Sequence, residues 1–258
     1  MSEIAPDIRL RLAPNPGPMT LEGTNTWILG RAGGPSVVVD PGPSDEAHLR
    51  AVQTEAGTVV ATVLTHRHLD HAEGLPRFAQ LTGAGVLAAD PAFAIPAGEH
   101  DGRLGDGDLI EGTELTIRAL ATPGHTSDST SLLVSSERGA WLLTGDMVLG
   151  RGTTVITHPD GDLGAYLDSL EVLLRIVREH DVSAILPGHG PVVSEPERLL
   201  GFYREHRLNR LEQVREALRF GDETAAQIVA RVYAEVDRTL WPAAEQSVHA
   251  QLDYLRTR

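Results

Sequence analysis

A short β-branched run, residues 59–64, leads directly into Thr65-His66-Arg67-His68-Leu69-Asp70-His71, and the same device recurs three times further along. Residues 115–120 lead to Thr-Pro-Gly-His125, residues 140–143 to Thr-Gly-Asp146, and residues 184–186 to Pro-Gly-His189-Gly. In the three repeats a strand ends, a glycine turns the backbone, and an imidazole or carboxylate follows. Such a chain is constrained to a fold that gathers those strand ends on one rim. In an extended backbone residues two apart point the same way, so His66 and His68 can grip one ion. Asp70 and His71 come where a helix beginning near Ala72 takes over, and the turn redirects them to a neighbouring ion. The carboxylate also sits at a helix N-terminus, where backbone amides favour negative charge. A lone His-x-His is common in solvated loops, and His125, Asp146 or His189 taken singly fits a turn or a cap. The dense first cluster with its three repeats makes a seven-ligand metal site the better reading.

Cysteine is absent, so any ion is held by nitrogen and oxygen, and disulfides, zinc ribbons and iron–sulfur clusters are excluded. Imidazole and carboxylate suit zinc best, with iron or manganese as alternatives. The 258 residues, 41% of them hydrophobic, suffice for one large domain or for about 200 residues plus an appendage. Strands are predicted near residues 26–29, 37–39, 59–64, 115–120, 131–134, 140–143 and 184–186, and helices near 45–56, 72–81 and 163–179, an α/β mixture. After Pro196 the strands stop. Leu200, Leu208, Leu211, Val214 and Leu218 are expected to share one apolar face, with Arg204, Arg215 and Arg219 largely off it. Gly221 suits a helix stop, Thr224 with Gln227 a capping box, and Pro242 a first turn. The reading is a catalytic domain over residues 1–200 and a small helical subdomain over 201–258.

At these ligand residues the chain resembles the metallo-β-lactamase superfamily. His66 to His71 match its His-x-His-x-Asp-His signature, His125, Asp146 and His189 its later ligands, and Asp40 in Val-Val-Val-Asp-Pro-Gly its early structural aspartate. The resemblance spans roughly residues 8–195 and implies an αββα sandwich with two metal ions at one edge. It places His66, His68 and His125 on one ion, Asp70, His71 and His189 on the other, and Asp146 between them. Leu-Glu-Gly-Thr-Asn-Thr-Trp27, Gly-His189-Gly-Pro and the helical tail are similar to the β-lactamase-like protein 2 family, some members of which cut single-stranded RNA and carry a winged-helix-like C-terminal domain.

The expected activity is hydrolysis by a bridging hydroxide held between two divalent ions, with Asp70 orienting the nucleophile and taking its proton. Asp40 either supports the loop of residues 66–71 or is an ordinary strand-end turn. His158 in Thr-His-Pro-Asp-Gly is either a substrate contact or an exposed loop histidine. Residues 14–22, rich in proline, form either a flap whose Met19 and Leu21 cover substrate or a plain surface loop. Three functions stay open. The first is cleavage of phosphodiesters in single-stranded RNA, from the resemblance and the Arg-bearing helix over residues 204–219. The second is hydrolysis of a small thioester, lactone or other acyl compound in the manner of glyoxalase II. Net charge −14, no lysine and only 4% aromatics favour it, because polyanion binding and base stacking want the opposite. The third is metal binding without turnover. Antibiotic hydrolysis is disfavoured, since the true lactamases resembling this fold generally lack the aspartate matched by Asp146 and are exported. No signal peptide or membrane-length apolar run is present, so a cytoplasmic protein with no membrane partner is expected. The tail's apolar face must be buried on the sandwich or on a second copy of the chain, which leaves a homodimer open.

Overall fold

A computed structural model describes residues 5–98 and 100–257. The first half runs β1 (Ile8–Leu12), β2 (Asn25–Leu29), β3 (Pro35–Val39), α1 (Glu46–Ala56), β4 (Thr58–Val63), α2 (Leu69–Ala72), α3 (Leu75–Thr82) and β5 (Val86–Leu87). The second runs β6 (Leu109–Ile110), β7 (Thr116–Ala121), β8 (Thr130–Ser136), β9 (Gly139–Gly145), α4 (Leu163–Glu179) and β10 (Val182–Pro187). Three helices follow, α5 (Pro196–Arg219), α6 (Ala225–Val232) and α7 (Trp241–Thr257).

The strands form two five-stranded sheets, ordered β1-β2-β3-β4-β5 and β10-β9-β8-β7-β6. Alternation along each strand supplies two apolar faces. Trp27, Leu29, Val37, Val39 and Val63 of one sheet meet Ile117, Leu132, Val134, Trp141, Leu143 and Leu186 of the other in the layer between them. The outer face of the first sheet, Ile28 and Val38, is covered by Leu49 and Val52 of α1 and Phe78 of α3. The outer face of the second, Leu133, Leu142 and Ile185, is covered by Leu163, Tyr166, Leu170 and Leu173 of α4. This is the αββα sandwich. Truncating one of these fully buried leucines, such as Leu132, to alanine would cost about 2–5 kcal/mol.

Strand direction explains where the site must lie. β3 and β4 are parallel, so the residues after them, Asp40 and Thr65 onward, emerge at one edge. β9 is parallel to β10 and, through β8, runs with β7, so His125, Asp146 and His189 emerge together too. The two rims are stitched to each other. Thr130 N–H donates to the Thr65 carbonyl at 2.8 Å, and Asn25 N–H to that of Gly188 at 2.8 Å. The Asn25 amide reaches the Pro187 and Gly190 carbonyls at 3.0 and 2.8 Å.

Two sequence expectations are corrected, on the helix after the first ligands and on the buried face of α5. The helix expected from Ala72 is two pieces, and the single turn α2 starts at Leu69, so Asp70 and His71 are already helical. As expected, no strand occurs after Pro196 among the described residues, and α5 runs through Gly201. Its buried stripe is Leu200, Tyr203, Arg207, Leu211, Val214 and Ala217, whereas Leu208 and Leu218 are exposed. The first half of that stripe packs on α4, and the second joins Ile228 and Val229 of α6 and Val248 and Leu252 of α7 in a separate small core. The Thr224–Gln227 capping box is formed, and Gly221 turns the chain after α5 at φ 93°. No described helix is long and apolar enough to cross a membrane.

Candidate metal centre

Five imidazoles and two carboxylates converge at the common rim, in two groups. His66, His68, His125 and Asp146 form one, and Asp70, His71 and His189 the other. His68 Nδ1 lies 3.0 Å from His66 Nε2 and 3.1 Å from His125 Nε2. His189 Nε2 lies 3.2 Å from His71 Nε2 and 3.0 Å from Asp70 Oδ2. Asp146 reaches both groups, 3.4 Å from His189 Nε2, 3.5 Å from His71 Nε2 and 3.9 Å from His125 Nε2.

Four of the five rings, His66, His71, His125 and His189, are aimed by what holds their other nitrogen. Asp40, at the end of β3 with φ 51°, accepts from Thr65 N–H at 2.8 Å and from the Thr65 hydroxyl at 2.7 Å. It also accepts from His71 Nδ1 at 2.8 Å. The Thr65 hydroxyl stands 3.1 Å from His66 Nδ1, so one buried carboxylate orients two rings. His125 Nδ1 donates to the Val155 carbonyl at 2.6 Å, and His189 Nδ1 to that of Gly23 at 3.1 Å. A glycine is required at 188, because a Cβ there would stand 2.5 Å from Asp146 Oδ1 and 2.8 Å from His71.

The donor set fits divalent metal on two observations. Asp146 Oδ1 is buried without a hydrogen-bond donor, an expensive arrangement unless a cation neutralises it. The 3.0–3.2 Å separations between ring nitrogens also approach those that a tetrahedral ion imposes, roughly 3.3–3.4 Å for bonds of about 2.0–2.1 Å.

Charge divides the two groups. Burial holds His66, His68 and His125 below the ordinary histidine pKa, His125 at about 4, so these rings are neutral at pH 7. Burial opposes charge on His189 as well, but the Asp146 and Asp70 carboxylates outweigh it and push its pKa up to about 11. Asp40 and Asp146 raise His71 against burial in the same way. The His189 and His71 charges in turn hold Asp146 well below the carboxylate range, again against burial. Metal must displace protons from the second group but not from the first. Lowering the pH should therefore weaken uptake by the second group through neutral pH and below, while the first is affected only below the ordinary histidine range. Calorimetry of zinc uptake at pH 7 in buffers of different ionisation enthalpy should show one ion entering with little proton release and the other with about one proton or more. Equal release for both ions would refute this division.

The structure also shows where the remaining expected residues lie. His158 is directed to α7, with Nε2 3.1 Å from Asp253 Oδ2 and its ring stacked on His249 at 5.2 Å. Met19 is half exposed on the loop that Asn15 closes onto Thr24, and the same loop supplies the Gly23 carbonyl to His189. Sequence reading passed over Arg67, whose guanidinium binds Asp128, Asp160 and Asp90 at 3.1, 3.2 and 3.3 Å, and over Thr65 and Val155. The only signal for Arg67 was its place between two ligands. A backbone acceptor such as Val155 leaves none.

The model of the metallo-beta-lactamase superfamily matches residues 19–189, and that of the beta-lactamase associated winged helix domain residues 224–258. The chain is 32% identical to the beta-lactamase-like protein 2 homolog of Drosophila melanogaster, over 95% of this chain and 86% of that one. It is 33% identical to the atrochrysone carboxyl ACP thioesterase of Aspergillus chevalieri, over 92% of this chain and 76% of that one. Among solved structures, a beta-lactamase domain protein from Burkholderia ambifaria superposes with a TM-score of 0.80 at 26% identity, covering 99% of this chain and 87% of the other.

Proposed function

The chain belongs to the metallo-β-lactamase superfamily, with the associated winged helix behind its catalytic domain, and from that premise we propose that this metal-dependent hydrolase cleaves a small acyl substrate, a thioester above all, at a site for two divalent ions. His66, His68 and His125 would hold one ion and Asp70, His71 and His189 the other, with Asp146 shared, and zinc is the metal this donor set suits best. When bound, the ions supply a water acidified to near neutral pH and positive charge for an oxyanion.

The residues do the rest. Asp70 is the most open carboxylate of the set, its side chain 27% exposed, and Oδ2 is engaged by His189. Its other oxygen is left to accept the proton of the attacking water. Burial works against charge on Asp70, but the His189 hydrogen bond and His71 outweigh it, so the acceptor is ionised at neutral pH. A thiol departs at an ordinary pKa of about 8.5 without demanding a strong acid, which suits a site whose most open carboxylate is Asp70.

One observation carries the choice of an acyl group over RNA: the arginines nearest the site and three of those on α5 are already ion-paired. At the rim Arg67 is bound by three aspartates and Arg151 by Glu22 at 2.7 Å. On α5, Arg204 pairs with Glu171, and Arg215 and Arg219 pair with Glu212. A polyanion would have to displace these carboxylates within a chain of net charge −14. Identity to a carrier-protein thioesterase lends the acyl reading further support.

The test is a side-by-side turnover panel of thioesters, lactones, bis(p-nitrophenyl) phosphate, labelled single-stranded RNA and nitrocefin, with zinc-loaded wild type and Asp70→Ala. Thioesters should give the highest kcat/KM, and Asp70→Ala should lower it by about 100-fold or more. RNA cleavage exceeding thioester turnover, with flattened salt dependence in Arg204→Gln/Arg215→Gln, would overturn the acyl reading in favour of RNA.

A further inference from the structure

Arg207 stands on α5, outside the sandwich sheets, yet it is only 2% exposed. Among the described residues no carboxylate pairs with it, which makes it an expensive cation to keep. Its guanidinium lies over the Tyr166 ring at 5.1 Å and donates from Nη2 to the Thr154 carbonyl, while its Nε is buried without an acceptor. A helical turn of α7 makes a second hold nearby, where Ile156 N–H donates to the Ser247 hydroxyl at 3.1 Å. Two helices beyond the catalytic sandwich therefore grip the two ends of Thr154-Val155-Ile156, in a stretch between β9 and α4 with no regular structure of its own.

Those three residues are what His125 rests on. Its Nδ1 donates to the Val155 carbonyl at 2.6 Å, with the Thr154 hydroxyl at 3.2 Å. Donation from Nδ1 fixes the tautomer that leaves the Nε2 lone pair free, and Nε2 is the atom facing His68 and Asp146. A carbonyl carried on an unanchored loop could not hold a ring to the tolerance that coordination requires.

We propose that Arg207 is a positioning residue for the metal centre. With Ser247 it clamps residues 154–156 so that the Val155 carbonyl sets the orientation and tautomer of His125, and the helical tail thereby becomes part of the site. Arginine suits the task because one planar group both stacks on Tyr166 and donates to the carbonyl, which an ammonium does poorly. The inference rests on the reading of His66, His68 and His125 as holders of one ion.

The test uses the full chain, with Arg207→Met, Arg207→Lys and Ser247→Ala. Zinc affinity is measured for each ion by chelator competition, and the cobalt-substituted protein is followed by visible absorption. Arg207→Met and Ser247→Ala should each weaken one ion by about 10-fold or more, shift the cobalt bands of that ion and leave the other ion unchanged. Arg207→Lys should recover part of the loss. Wild-type affinities and spectra in both variants would overturn the proposal, as would equal weakening of both ions in step with a falling melting temperature. Should Arg207→Met not fold, Ser247→Ala decides alone by the same readouts. Wild type that takes up fewer than two ions would refute the two-ion reading itself, a result separate from any effect of the variants.

Discussion

Replacing Asp146 with alanine should lower turnover by at least about 100-fold, more than is usual for the loss of a group that only supports a ligand, while the fold stands. The carboxylate lies between the two groups of ligands, within 3.9 Å of rings from both. On the two-ion reading it is, among the described residues, the side chain placed to balance charge on both ions, and without metal it is the main partner of the His189 charge. Its loss should reduce bound zinc towards one equivalent. The fold should survive because the side chains between the sheets and beneath α4 do not depend on it. Circular dichroism, metal analysis and kinetics on one preparation check this. A fully metal-loaded Asp146→Ala enzyme with near wild-type turnover would rule out the shared role.

Asp40→Ala should do the reverse and strike stability first. The carboxylate is buried and receives the Thr65 N–H, the Thr65 hydroxyl and His71 Nδ1, and alanine strands the N–H and His71 Nδ1 and leaves the hydroxyl only His66 Nδ1. Each stranded buried donor costs on the order of 1–3 kcal/mol. The residue also holds φ at 51°, which aspartate and asparagine tolerate better than alanine. The sum is about 4 kcal/mol or more, a fall in Tm of roughly 10 °C for a chain of this size. Asp40→Asn keeps the backbone tolerance and one acceptor oxygen and should lose about half as much. Melting curves in excess chelator separate this from metal affinity. A metal-free Asp40→Ala protein melting within about 2 °C of wild type would show that these hydrogen bonds are not what holds the rim.

The seven side chains that converge at the rim were legible because each is tied to a local signal. A β-branched run, a turn and a ligand-type side chain lie within a few residues, and strand direction does the rest. The tail was less legible for a physical reason. α5 changes partners along its length, from α4 to α6 and α7, and its buried stripe includes Arg207 and the small Ala217. Apolar patterning therefore favoured Leu208 and Leu218, which border the stripe and are exposed. β5 and β6 are two residues long and carry no alternation to detect. α2 is one turn, too short for any period, so the start of a helix at Leu69 was invisible from residues alone.

The scatter of the ligands along the chain has a consequence in time. The first lies at residue 66 and the last at 189, and the clamp on His125 waits for residues 207 and 247. On the two-ion reading, a ribosome must release the chain through residue 146 before the first group of ligands is complete and through residue 189 before the second is. Contacts this distant in sequence also form late, once loop closure has been overcome. Because the cores of the sandwich are built from other side chains, metal is expected to enter a molecule that has already folded, unlike a zinc finger whose folding the ion drives. Maturation would then be an order of events, chain first and cation second, in which the supply of free metal would set how much enzyme is active and not how much protein folds.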